Sequence, residues 1–267
     1  RKMRGMDYMD GTHDFIIKTG GIEVYPRLRT EKRTSAGREE VMSSGITELD
    51  RLTGGGLESG TACLVSGSSG AGKSTLAGLY VEEAVKQGRK AEVFCFDERR
   101  STFLHRCRSL NMTFPEQTGG LVRIRELMVG DLSPGKFAEN IKRSVQERSV
   151  KVVVIDSLTG YLNVMPQRKM LMTQLHEIVT YLSEAGVLTF LIVTTHGIIG
   201  DLSTEIDASY MADTVIVLRH FEAFGMMRKC IAVVKKRSGD HEKTIREVLV
   251  DEKGIRVGPA LRHFSGV

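Results

Sequence analysis

The run Gly67-Ser68-Ser69-Gly70-Ala71-Gly72-Lys73-Ser74-Thr75 constrains this chain more than any other feature. It fits the phosphate-binding pattern G-x-x-x-x-G-K-[ST], and its flanks supply the required context. An apolar, strand-like run at 61–65 leads in, and a helix-like stretch at 76–85 leads out. Glycines allow the backbone to curl so that successive amides point inward at phosphate oxygens. Lys73 would offer a point charge to the outer phosphates, and the Ser74 hydroxyl can ligate Mg²⁺. A Gly/Ser-rich turn can match by accident, but a strand delivering into it and a helix leaving it make that reading a poor one. The expectation is a chain that binds a nucleoside triphosphate with Mg²⁺, ATP being the default.

From Gly45 onward, strand-like and helix-like stretches alternate. Candidate strands lie at 61–66, 91–96, 121–125, 151–156, 187–194 and 213–219, and candidate helices at 72–87, 100–110, 134–148 and 167–185. Such alternation predicts an α/β fold with a mostly parallel central sheet and helices on both faces. After residue 213 the helical patterns stop, and strands at 228–236 and 244–250 follow in hairpin style, predicting an antiparallel C-terminal extension.

Three further groups fall at predicted strand ends, where ligands of open α/β sheets bind. Val152-Val153-Val154-Ile155 delivers Asp156, a candidate metal residue beside Ser74. An apolar run ending in Asp is common alone; paired with the phosphate loop it becomes specific. Asp97 and Glu98 close the strand at 91–96 and are candidates to orient and deprotonate an attacking water. Neighbouring strand residues point opposite ways, so one of the two faces the outer phosphate. Spacing favours Asp97 and reach favours Glu98. Thr195 and His196 end another apolar strand and are candidate sensors of that phosphate.

The net charge of +5 is unevenly spread, because residues 225–246 carry seven basic side chains against Asp240 and Glu242. Those seven are Arg228, Lys229, Lys235, Lys236, Arg237, Lys243 and Arg246. Such a segment suits a nucleic-acid backbone, a phosphate held across a subunit boundary, or a merely solvated face. The four cysteines have no metal-ligand spacing, and Cys63 and Cys95 sit in apolar runs, which suggests buried thiols in a reducing cytoplasm. No apolar run reaches the roughly 18 residues of a membrane span.

An internal repeat bears on domain organisation. Shifted by 233 residues, Lys2 matches Lys235, Arg4 matches Arg237 and Asp7 matches Asp240; Gly21-Ile22, Val24, Pro26 and Leu28 match Gly254-Ile255, Val257, Pro259 and Leu261. Both copies read as the closing hairpin of a domain. The expectation is therefore that residues 1–28 are the C-terminal hairpin of a preceding copy, 29–44 an interdomain linker, and 45–267 the second copy.

Gly45-Ile46 with Leu49-Asp50, Gly54-Gly55-Gly56, the phosphate loop, Phe96-Asp97-Glu98 and Lys235-x-Arg237 together resemble KaiC and KaiC-like ATPases, of the RecA-like branch of phosphate-loop proteins. The resemblance runs over nearly the whole chain and to the second domain of a tandem. It implies a self-associating ring, a hexamer, hydrolysing ATP at subunit boundaries. Lys235 and Arg237 would then act catalytically on ATP held by the next subunit. It also implies autokinase activity on an adjacent Ser-Thr pair. Here Ser209 keeps a hydroxyl and is the candidate phosphoacceptor, whereas Tyr210 stands where the family has Thr. A phenol oxygen lies ångströms further from its backbone, outside in-line geometry. The expected role is a signalling or clock-like switch.

The alternative is a RecA/RadA-type DNA-dependent ATPase using the basic segment. Against it stands an aromatic content of 6% with no Trp, since single-strand binders stack bases on aromatic rings. A scaffold that binds ATP without turnover is disfavoured by the intact Lys73, Ser74, Asp156 and carboxylate pair.

Overall fold

Strands that read as unbroken apolar runs must be covered on both faces, and the computed structural model has that architecture. It describes residues 13–28, 40–112, 120–127, 133–164, 168–195, 208–251 and 254–262. The chain runs β1 (Asp14–Lys18), β2 (Gly21–Tyr25), β3 (Val41–Met42), α1 (Thr47–Leu52), β4 (Leu57–Glu58), β5 (Ala62–Gly67) and α2 (Lys73–Lys86). It continues with β6 (Ala91–Cys95), α3 (Arg100–Ser109), β7 (Val122–Glu126), α4 (Pro134–Gln146), β8 (Val152–Asp156), α5 (Leu158–Val164), α6 (Arg168–Glu184) and β9 (Leu188–Thr194). Four strands close it: β10 (Thr214–Ala223), β11 (Met226–Lys236), β12 (Arg246–Asp251) and β13 (Gly254–Ala260).

Nine strands form one sheet in the order β13-β12-β11-β10-β5-β9-β8-β6-β7. From β10 to β7 every pairing is parallel, and from β10 to β13 every pairing is antiparallel. The α/β fold with an antiparallel C-terminal extension is therefore as expected. Alternate residues of each central strand feed two separate cores. Cys63, Val65, Val152, Val154, Phe190 and Ile192 face α1, α2 and α3. Ala62, Leu64, Val153, Ile155, Leu191 and Val193 face α4, α5 and α6.

The topology positions the site. The chain leaves β5 for β6 and β7 on one side, returns through β8 and β9, and then crosses to β10 on the other side of β5. The C-terminal ends of β5, β6, β8 and β9 thus come together beside the start of α2, where the strand order reverses.

Two features sit outside the main sheet. Val41 and Met42, at the end of the expected linker, pair with Glu58 and Leu57, and Met42 is buried in the core. Residues 29–39 lie outside the described residues. The β1–β2 hairpin turns at Gly20 and Gly21, whose φ values of +101° and +136° favour glycine. Its register pairs Phe15 with Val24 and Ile17 with Ile22. The β12–β13 hairpin pairs Val248 with Val257 and Val250 with Ile255, the same register under the 233-residue shift. Val248 and Val257 are buried in the core, whereas Phe15, Ile17, Ile22 and Val24 are all more than half exposed.

Candidate nucleotide site

The loop from Gly67 to Thr75 connects β5 to α2 as the motif requires. Gly67 has no room for a side chain, because a Cβ there would stand 2.2 Å from the carbonyl oxygen of Leu218 on neighbouring β10. Gly70 and Gly72 take φ values of +76° and +108°, and Gly72 caps the start of α2. Its left-handed conformation turns the chain from loop to helix, where the amides of the first turn have no intrahelical partner and suit an anion. Ser68, Ser69 and Ala71 line the loop between these glycines, and the Ala71 amide donates to the Ser68 carbonyl at 3.3 Å.

Lys73 is buried, with its Nζ donating to the Ser68 carbonyl at 2.8 Å. Burial holds its pKa down at about 8, an effect that the negative field of Asp156 only partly offsets. Asp156 is 8% exposed, and burial pushes its carboxyl above the usual range while the adjacent Ser74 hydroxyl works the other way. Its Oδ2 is buried without a hydrogen-bond partner. A buried, unpartnered carboxylate oxygen next to a hydroxyl fits the donor set that Mg²⁺ takes alongside phosphate and water. Among the described residues no cluster of three His, Cys, Asp or Glu offers an all-protein metal cage. Thr75 is buried in the first turn of α2.

Asp97 and Glu98 follow β6 in a bend and take different partners. Asp97 accepts a short hydrogen bond from the Ser157 hydroxyl, directly after Asp156. It also backs onto Gly160, where a Cβ would be 2.3 Å from its Oδ1. Glu98 is ion-paired with Arg106 of α3, and the fields of both reach Asp156. Thr195 arrives from β9, its amide bonded to the Gly67 carbonyl at 3.0 Å. Its hydroxyl is buried without a partner. His196 lies outside the described residues.

Lys235 and Arg237 are not brought to this loop. Lys235 Nζ donates to the carbonyls of Ser209 (2.7 Å) and Ala212 (2.8 Å), and Arg237 donates to the Tyr210 carbonyl (2.9 Å). They sit at the end of β11, beside the start of β10, which in turn pairs with the start of β5 at Cys63. At about 3.3 Å per strand residue, Cys63 is roughly 13 Å along β5 from Gly67, and β11 lies two strands across the sheet from β5. Ser209 is half-buried, and Tyr210 is exposed and stacked on His176.

The basic segment is largely committed within the fold. The Lys236 side chain is buried, bonded to the carbonyls of Thr53 and Gly56 and to Glu58. Arg228 pairs with Glu247, Arg246 with Glu242 and Arg237 with Asp213. These contacts argue against an open basic track for nucleic acid.

Four site neighbours went unread in the sequence: Ser157, Gly160, Arg106 and His220. His220 Nδ1 is 3.0 Å from the Ser68 hydroxyl, and burial, with Lys229 and Lys73 nearby, lowers its pKa. That contact follows from the β5–β10 pairing, which brings Leu218 opposite Gly67 across 151 positions of sequence, and no local signal announces it.

Comparison with known proteins agrees with this geometry. The family model for the KaiC ATPase matches residues 42–262. The circadian clock oscillator protein KaiC of Acaryochloris marina is 28% identical over 270 residues, which cover 100% of this chain and 51% of that protein. Its namesake in Thermosynechococcus vestitus is 29% identical with the same coverage, and the circadian clock protein KaiC3 of Synechocystis is 28% identical over 271 residues, covering 53% of that protein. The chain thus spans about half the length of the curated relatives it matches. A phosphate loop, a buried Lys73–Asp156 pair and a carboxylate strand end are set in a family match that runs from β3 past β13, and on these grounds the chain belongs to the KaiC ATPase family.

Proposed function

We propose that this chain is an ATP-hydrolysing module of a homo-oligomeric ring, in which Lys235 and Arg237 of one subunit complete the site of the next. The separation of these two cations from their own loop carries the reading. Held at the end of β11, two strands from β5 and level with the end of β5 opposite the loop, they point to a phosphate other than that of the same subunit, and a ring would present them to a neighbour. The ring is proposed to be a hexamer, as the family resemblance implies.

ATP would lie on the amides of 67–75, with Lys73 exchanging the Ser68 carbonyl for a phosphate oxygen. Ser74 and Asp156 would hold Mg²⁺, whose charge offsets that of the phosphates. Asp97 or Glu98 would orient and deprotonate the attacking water. The unpartnered Thr195 hydroxyl, with His196 beside it, would sense the outer phosphate. Arg237 and Lys235 would stabilise charge developing in the transition state. Ser209 is the proposed phosphoacceptor, and the tie of its carbonyl to Lys235 supports placing it at the same subunit boundary. A slow ATPase of this kind, with autokinase activity in the cytoplasm, would serve as a signalling or clock-like switch.

The same reading extends to domain organisation. Residues 1–28 would belong to a preceding KaiC-type domain, with the linker reaching towards residue 44 and the ATPase domain occupying 45–267. The shared register of the two hairpins supports this, as does the exposed apolar face of β1–β2, whose counterpart in β12–β13 is buried at Val248 and Val257.

Intact mass and ADP release after incubation with Mg·ATP test the activity, with Lys73→Ala and Ser209→Ala alongside. The reading predicts ADP production that Lys73→Ala abolishes, and one added phosphate that Ser209→Ala removes. ATP affinity and turnover unchanged in Lys73→Ala would remove its basis. Turnover with no added phosphate would keep the ATPase and refute the autokinase.

A further inference from the structure

The β1–β2 hairpin meets the domain at the first turn of α4. The Asp14 carboxylate accepts the Gly135 amide at 2.8 Å, one of the amides that a helix start leaves without an intrahelical partner. Gly135 has no space for a side chain, since a Cβ would stand 2.6 Å from Asp14 Cβ and 2.7 Å from Tyr25 Cβ. Two residues further on, Phe137 is fully buried. Its ring stands edge-on to Phe96, with centroids 5.4 Å apart, and 5.3 Å from Tyr161. Phe96 immediately precedes Asp97, and Gly160, just before Tyr161, is pressed against the Asp97 carboxylate. The hairpin, the α4 turn, the aromatic wedge and the carboxylate strand end form one continuous packed stack.

We propose that Asp14 and Gly135 are positioning residues for the Asp97–Glu98 pair: the seating of the hairpin on α4 sets, through Phe137, where the end of β6 holds its carboxylates. This rests on the reading that these carboxylates serve ATP hydrolysis. The Asp14 carboxylate accepts from the amides of Phe15 and Gly135, so its effect on the carboxylates passes through packing. Protein interiors are packed as densely as organic crystals, so a displaced Phe137 ring must push its neighbours. A displacement of about 1 Å in a reacting group is enough to slow chemistry severely. The same hairpin is the part of this chain proposed to belong to a preceding domain, so the position of that domain would be felt at the carboxylates.

The test compares Asp14→Ala, Asp14→Asn and Gly135→Ala in the 267-residue chain, by two readouts. Hydrogen exchange of peptides covering 94–98 and 157–162 is measured without nucleotide, and kcat and KM are measured with Mg·ATP. Asp14→Ala and Gly135→Ala should speed exchange in both peptides and lower kcat about fivefold while KM stays within about twofold, a size typical of indirect contacts. Asp14→Asn keeps an acceptor oxygen and should restore most of both. Should Gly135→Ala fail to fold by circular dichroism, the Asp14 pair decides. Unchanged exchange in Asp14→Ala overturns the proposal whatever the activity. Altered exchange with unchanged kcat overturns it equally, because the stack would then move without moving the chemistry. Turnover that survives both Asp97→Asn and Glu98→Gln would instead overturn the underlying assignment of the carboxylates.

Discussion

Replacing Lys73 with methionine should make the nucleotide-free protein more stable while removing its response to ATP. The native state holds this lysine at about 8 instead of 10.5, chiefly by burial. Each pKa unit corresponds to about 1.4 kcal/mol, so the buried cation costs the free protein roughly 3 kcal/mol at neutral pH. Methionine has a similar length and no charge, but it forfeits the hydrogen bond to the Ser68 carbonyl, worth about 1 kcal/mol. The net gain is about 2 kcal/mol, or a rise in Tm of roughly 4–8 °C for a chain of this size. The sign with pH follows from linkage. Below about 8 the lysine is protonated in both states and the cost is complete; above 10.5 it is neutral in both and the cost disappears. Wild-type stability should therefore rise relative to the variant as pH climbs from 8 to 10.5. Differential scanning fluorimetry with and without Mg·ATP checks both parts. At a ligand concentration of about 100 Kd the wild type should gain roughly 2.7 kcal/mol and overtake a variant that gains nothing. A Lys73→Met protein less stable than wild type at pH 7, or a gap that does not narrow towards pH 10, would refute the reasoning.

Other consequences can be measured separately. Gly67→Ala would drive a Cβ into the Leu218 carbonyl and force β5 and β10 apart at the loop. Nucleotide affinity should fall at least tenfold, with a stability loss of about 1–3 kcal/mol in urea titration. Phe137→Ala would empty the centre of the aromatic cluster and should cost about 3–5 kcal/mol by the same titration. Burial pushes the thiols of Cys63, Cys95 and Cys107 upward, so at pH 8 all three should resist a thiol-reactive dye until denaturant is added. Rapid labelling of the native protein at those positions would contradict the packing.

What could be read from sequence depended on how local the signal was. The phosphate loop is legible because it needs only a strand, fixed glycines and a helix start within a short stretch. The runs at 152–155 and 188–193 are legible as doubly buried strands because both faces are apolar. Helices α1 and α5 went unseen, having six and seven residues, too few to establish a period, and α1 has no side-chain cap. Strand alternation could not decide between Asp97 and Glu98, because β6 ends at Cys95 and both stand in the bend after it. Their partners were not legible either, since Ser157 and Arg106 arrive from other elements. The basic run at 225–246 misleads when counted as charge alone, because Lys236 is turned inward to brace the Gly54–Gly56 turn and Glu58.

The central claim is a site shared between subunits, and mixed rings test it most directly. Lys73→Ala has a defective loop but an intact Arg237; Arg237→Ala has an intact loop but lacks the cation its neighbour needs. Each alone should be nearly inactive. Steady-state ATP turnover in a one-to-one mixture, with mixed rings verified by native mass spectrometry, should recover a substantial fraction of wild-type activity at interfaces that combine the two intact halves. Mixed rings that remain as inactive as either parent would contradict a site completed by the next subunit.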